Sequence, residues 1–183
     1  MMSSRTLIAS GVLVSVAAAY QFDASSRGTL DHPAIEYTTR QIRDPVATLN
    51  QTIQEGKVKL KFENVHGYLR STLQALNVPS ESQLAVFSKT SLQAERISPF
   101  TPRTIFFSDA VTVAWMRGGF IELAAQDPEQ GVIFYTLDQV PVDKPTFRRE
   151  GDRCLRCHAS EPSLGIPSYH FRSFLEHAKP QQF

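Results

Sequence analysis

The sequence predicts an α+β domain, with N-terminal helices followed by an antiparallel β meander and then a short C-terminal segment. Two observations carry this. Apolar residues recur at helical spacing early in the chain, and between Thr104 and Leu137 the period shortens to two, with turn-forming residues at each break.

Asp44-Pro45 reads as a helix start, with Asp44 as N-cap and Pro45 at the first helical position, where its missing N–H costs nothing. Val46, Leu49 and Ile53 follow at helical spacing, and Gly56 ends the element. A second helix is expected from about Val65 to Asn77, with Leu69, Leu73 and Leu76 as its apolar stripe and Pro79 as its stop. From Gln83 the pattern becomes extended. Leu84 to Ser88 is a short strand candidate, Ser91 to Ile97 fits either type, and Pro99 and Pro102 enforce a loop. Thr104–Phe107, Ala110–Met116, Phe120–Ala125 and Val132–Leu137 then read as four strands. Ser108-Asp109, Arg117-Gly118-Gly119 and Asp127 to Gly131 connect them. Val111, Val113 and Trp115 share one strand face. Asp127 and Asp138 read as turn residues, Trp115 and Tyr135 as core aromatics. One or two helical turns are expected around Phe171 to His177.

The N-terminus reads as an export signal. Arg5 supplies a positive region, Leu7 to Tyr20 is almost unbroken apolar sequence, and Ala17-Ala18-Ala19 offers a cleavage site. Residues 1–19 are thus expected to be a signal peptide, 20–34 a flexible mature N-terminus, and 35–183 one domain in the periplasm. The apolar stretch is short for a membrane span, which needs roughly 20 residues, so membrane attachment is expected only if it stays uncleaved. The net charge of +1 gives no reason to expect a nucleic-acid partner.

Cys154-Leu155-Arg156-Cys157-His158 has the C-x-x-C-H spacing of a covalent haem attachment site. Two thiols three residues apart share one side of a helical turn and can form thioethers to one porphyrin. The imidazole beside the second thiol then lies under the iron as an axial ligand. These are the only two cysteines in the chain. A disulfide between them closes too short a loop to staple a fold, which leaves a redox dithiol or an incomplete metal site as the non-haem readings. The expected cofactor is haem c, and the expected partners are other redox proteins. A haem enzyme or a gas or redox sensor with an open sixth position is the alternative.

For the second iron ligand the sequence offers His170, His177, His66 and Met116, with His170 nearest the motif. Arg148, Arg149, Arg153 and Arg156 cluster around the motif and suit haem propionates. The polar run Ser88-Lys89-Thr90-Ser91, near Arg96 and Arg103, reads as a turn from which Lys89 could reach a propionate or substrate. In the small all-helical cytochrome c fold the motif comes early and a Met ligand follows much later. Here the motif comes late and no Met follows it, so that fold is not expected.

The runs SQLAVFSKTSLQAERISPFTPR, IFFSDAVTVAWMRGG and GVIFYTLDQ, followed by CLRCH, resemble a group of exported bacterial cytochrome c domain-containing proteins. The resemblance spans roughly Ile35 to Phe174 and includes Gly165-Ile166-Pro167 and Arg172-Ser173. It implies one haem attached after a β-rich region. Longer members of that group continue into a Trp/Gly-rich segment with further His and Met residues. Against them this chain, ending at Phe183, reads as C-terminally shortened. The resemblance implies no particular activity.

Overall fold

The first regular element is helix α1, Pro45–Gln54, and it begins where Asp44 and Pro45 predict. The Asp44 carboxylate accepts from the N–H groups of Val46 at 2.7 Å and Ala47 at 2.9 Å. Val46, Leu49 and Ile53 are its buried stripe, and Gly56 leaves the helix with a φ of 75°. The computed structural model describes residues 30–159, 163–169, 174–175 and 181–182. The expected signal peptide lies outside these residues. No helix among the described residues is long and apolar enough to cross a membrane.

Helix α2 covers only Leu69–Ala75, shorter than the apolar stripe implies. Glu63 and Gly67 exchange backbone hydrogen bonds at 2.9 and 2.8 Å, which folds residues 63–67 into a tight turn instead of a first helical turn. Gly67 sits at φ 58°, and a Cβ there would fall 1.9 Å from the Gln139 side-chain oxygen.

The sheet has six strands in chain order: β1 Leu84–Val86, β2 Arg103–Phe107, β3 Val111–Trp115, β4 Ile121–Asp127, β5 Gly131–Leu137 and β6 Arg148–Glu150. Every pairing is antiparallel, so the expected meander is present. The four central strands fall within two residues of their predicted limits. Strand β6 was not anticipated: Arg-Arg-Glu carries no apolar alternation, and it pairs against Phe134, Tyr135 and Thr136, with the Thr136 hydroxyl donating to the Glu150 carboxylate at 2.9 Å. Ser91–Ile97, ambiguous in sequence, contains a single 3₁₀ turn at Ala94–Arg96. Helix α3, Asp152–His158, follows β6 directly. Where a helical turn was expected near the C-terminus, Phe174–Leu175 (β7) pairs with Gln181–Gln182 (β8), and the rest of that stretch lies outside the described residues.

One sheet face carries the core. Val111 and Val113 of β3, Leu123 of β4 and Ile133 and Leu137 of β5 are buried with Val46, Leu49, Ile53, Leu69 and Leu73 of the two helices. Trp115 packs at the margin of this cluster, as its place beside Val111 and Val113 predicts. Asp44 is fully buried beneath α1, and the Tyr135 hydroxyl donates to its second oxygen. Burial holds the Asp44 carboxyl above the usual carboxylate range, and burial followed by Asp44 itself raises the Tyr135 phenol. Asp127 is more than a turn residue. Its carboxylate accepts from the N–H groups of Glu129 and Gln130 within the turn and from Arg43 N–H at 2.7 Å, tying β4 to the start of α1.

The turn after Asp127 ends on Gly131, at φ 81°, with the Pro167 carbonyl 2.5 Å from where a Cβ would sit. Val132 N–H donates to that same carbonyl at 3.0 Å. Gly131→Ala therefore meets both the left-handed backbone penalty of about 1–2 kcal/mol and a clash with the Pro167 backbone. Urea unfolding is expected to show at least that loss, and a change below ~0.5 kcal/mol would mean the turn relaxes freely.

Candidate functional site

The second sheet face is built differently from the first. By register, Thr112, Ala124 and Phe134 form one row across β3, β4 and β5, and Ile105, Ala114 and Glu122 form the next across β2, β3 and β4. Small side chains hold the middle of this face. The result is a cavity of about 670 Å³ floored by these six residues. That size lies inside the range of roughly 300–1,000 Å³ for sites that enclose a small organic ligand.

Two segments wall the cavity. Helix α3 returns from the β6 edge and places Cys154, Cys157 and His158 on it, while Leu155 is buried in the main core. Positions i, i+3 and i+4 share a helix face, so the motif's spacing and the helix together aim all three at one space. On the opposite side the segment Phe87–Leu92 leaves the β1 edge and crosses toward β4. Ser91 Oγ donates to the Glu122 carboxylate at 2.8 Å and Leu92 N–H does so at 2.8 Å. Gln93 completes the anchor, donating to the Phe120 carbonyl and accepting from its N–H, each at 2.9 Å. The sequence marks Ser88 to Ser91 as a polar turn near a ligand but does not show its anchor, because Glu122 lies thirty-odd residues from Ser91 and Leu92 and carries no local signal.

The His158 imidazole is oriented from behind. Its Nδ1 lies 2.9 Å from the Ser168 carbonyl oxygen. A carbonyl can only accept, so Nδ1 carries the proton and Nε2 is the lone-pair nitrogen of the neutral ring. Ser168 N–H in turn donates to the His158 carbonyl at 3.0 Å. The ring packs on Phe134 with centroids 4.5 Å apart. The segment that supplies Ser168 is itself fixed to the sheet, through the Pro167 carbonyl and through the Tyr169 hydroxyl, 3.2 Å from the Ala110 and Ala124 carbonyls.

Cys154 is half-buried, Cys157 is exposed, and the two are not joined in a disulfide. Burial, reinforced by the Glu150 and Glu122 carboxylates, pushes the Cys154 thiol up to about 12. A redox dithiol works through a lowered thiol pKa, which the surroundings of Cys154 oppose. Among the described residues, no group of three or more His, Cys, Asp or Glu side chains is placed to hold a metal ion.

The other sequence candidates scatter. Met116 is buried and does not line the cavity. His66 stacks near Trp115 at 5.7 Å, beside Glu63, away from it. His170 and His177 lie outside the described residues. Of the four arginines near the motif, only Arg153 lines the cavity, 3.7 Å from Glu150. Arg148 pairs with Asp138, and Arg149 donates to the Tyr37 carbonyl with its guanidinium 4.5 Å over the Tyr37 ring. Arg156 is exposed. A second arginine in the cavity wall is Arg103, 3.4 Å from Glu122, with its Nε buried and unbonded.

Comparison with protein families, with curated proteins and with solved structures finds no match to this chain.

Proposed function

We propose that this protein is an exported monohaem c-type cytochrome that transfers single electrons between redox proteins of the periplasm. One observation carries the reading: both thiols and the imidazole of the C-x-x-C-H motif open onto the same cavity. The donor set fits haem c. Cys154 and Cys157 would hold the porphyrin by thioethers, and His158 would present Nε2 as the axial ligand. The buried, unbonded Nε of Arg103 and the guanidinium of Arg153 suit anionic groups at the porphyrin edge.

Bound haem supplies reversible one-electron chemistry between ferric and ferrous iron. The chain supplies the setting. The Ser168 carbonyl fixes the imidazole's tautomer and, by accepting its proton, raises the basicity of Nε2. Phe134 limits rotation of the ring. Ala114, Ala124 and Thr112 leave room for a flat ligand against the sheet, and Ile105 and Phe134 lower the local dielectric around it. The opening at the cavity rim, where Cys157 is exposed, is where a partner protein could approach closely in a small, transient contact.

Full-length protein produced together with cytochrome c maturation proteins tests this. The expected result is haem that stays with the polypeptide on a denaturing gel, and a reduced-minus-oxidised c-type spectrum in the periplasmic fraction. Polypeptide that carries no covalent haem under those conditions rules the reading out.

A further inference from the structure

We propose that Lys89 supplies the second axial ligand to the iron of the haem held by Cys154, Cys157 and His158. The proposal rests on the haem reading above and deepens it.

The cavity walls define where a second ligand can come from. Helix α3 occupies one wall, so among the described residues a donor opposite His158 belongs to the segment Phe87–Leu92. That segment is held at both ends. On one side β1 pairs with β2. On the other, Ser91, Leu92 and Gln93 are anchored to Glu122 and Phe120. Ser88 and Thr90 contact each other at 3.1 Å across Lys89, so the span between the anchors is a short bridge with Lys89 at its apex.

The donors on the cavity can be taken in turn. Glu122 already accepts from Ser91 and Leu92 and pairs with Arg103. The Tyr169 hydroxyl is engaged by backbone carbonyls of the sheet, and the Tyr135 hydroxyl by Asp44 on the other sheet face. Serine and threonine hydroxyls are poor ligands for haem iron, and an arginine keeps its proton. Lys89 is exposed at the cavity mouth and, among the described residues, makes no hydrogen bond or ion pair. Its flexible four-carbon stem suits it to reach inward from a bridge. To ligate, its ammonium releases one proton to the water at the mouth, and the nitrogen lone pair makes the bond to iron.

The test uses the haem-loaded full-length protein and three variants: Lys89→Ala, Lys89→Arg and His170→Ala. Near-infrared magnetic circular dichroism and electron paramagnetic resonance of the ferric state report the ligand pair. A low-spin spectrum with an amine signature is expected for the wild type. Both Lys89 variants are expected to lose that signature while carrying the wild-type haem content, and their ferrous forms to gain rapid carbon monoxide binding. Arginine is the decisive replacement, since it keeps the charge that would anchor a propionate but cannot ligate. A low-spin signature unchanged in Lys89→Arg overturns the proposal. So does its loss in His170→Ala, or a wild-type ferric state that is high-spin. Absence of covalent haem from every variant and the wild type sinks the cytochrome reading itself, a distinct outcome.

Discussion

Replacing Cys154 and Cys157 together by alanine is expected to abolish covalent haem, leaving polypeptide that gives no haem signal on a denaturing gel. Under the haem reading each thiol would add its S–H across one vinyl double bond, sulfur and hydrogen going to its two carbons, so no oxidant would be consumed and no group would leave. With both sulfurs gone, only the proposed His158 bond and cavity packing would be left to hold haem, and neither would survive denaturant. The single variants separate the two bonds. Each should retain one thioether, seen as a pyridine haemochrome band displaced to longer wavelength by the remaining vinyl group. Cys154→Ala should lower the haem yield more than Cys157→Ala, because Cys154 is the half-buried sulfur packed against the core and Cys157 is exposed. Haem retained on the gel by the double variant would mean attachment elsewhere. His158→Ala differs in kind: its thioethers can form, but the imidazole signature should vanish from the ferric spectrum.

The largest stability effect is expected at Asp44→Ala. Its buried carboxylate caps α1 through two backbone N–H groups and accepts from Tyr135. Losing the cap and stranding the Tyr135 hydroxyl together cost about 2–4 kcal/mol, measurable by urea unfolding. Adding Tyr135→Phe removes the stranded donor, so the double variant should be more stable than Asp44→Ala alone. Equal stability of the two would show that Tyr135 finds another partner. Asp44 also sets a pH dependence. Burial raises its pKa in the folded state above the unfolded value, so the folded protein holds the proton more tightly. The stability linked to this group is complete below the ordinary carboxylate range and falls as pH rises through the folded value. Asp44→Asn caps the helix without titrating, so its stability relative to wild type should rise over that interval.

Local signals made α1 and the central strands legible in the sequence. Asp44-Pro45 and Gly56 bracket a helix by chemistry that acts within a few residues, and the alternation through Val111, Val113 and Trp115 fixes a strand face. The clustering of Cys154, Cys157 and His158 was legible because the three groups lie within five residues at helical spacing, and the helix then turns all three onto one cavity. What stayed hidden depends on distant partners. Residues 65–68 continue the helical pattern of α2 but are turned by the Glu63–Gly67 backbone pair, with Gln139 accepting from Tyr68 N–H. Strand β6 exists because β5 offers an edge. The cavity arises from Thr112, Ala114 and Ala124, small residues whose common position emerges only when β3 and β4 are in register. Ser168 looks like any loop serine until its carbonyl is seen behind His158.

The sheet order also bears on how the protein is made. Every strand from β1 to β6 pairs with its neighbour in the sequence, so the sheet is built from local contacts, which form early. Helix α3 and the segment around Pro167 follow the six-stranded sheet in the chain, and dock on a sheet that needs neither of them for its pairing. A chain emerging N-terminus first can therefore finish its scaffold while the two thiols are still undocked. The cysteines remain open to modification until the final turn of helix closes over the sheet.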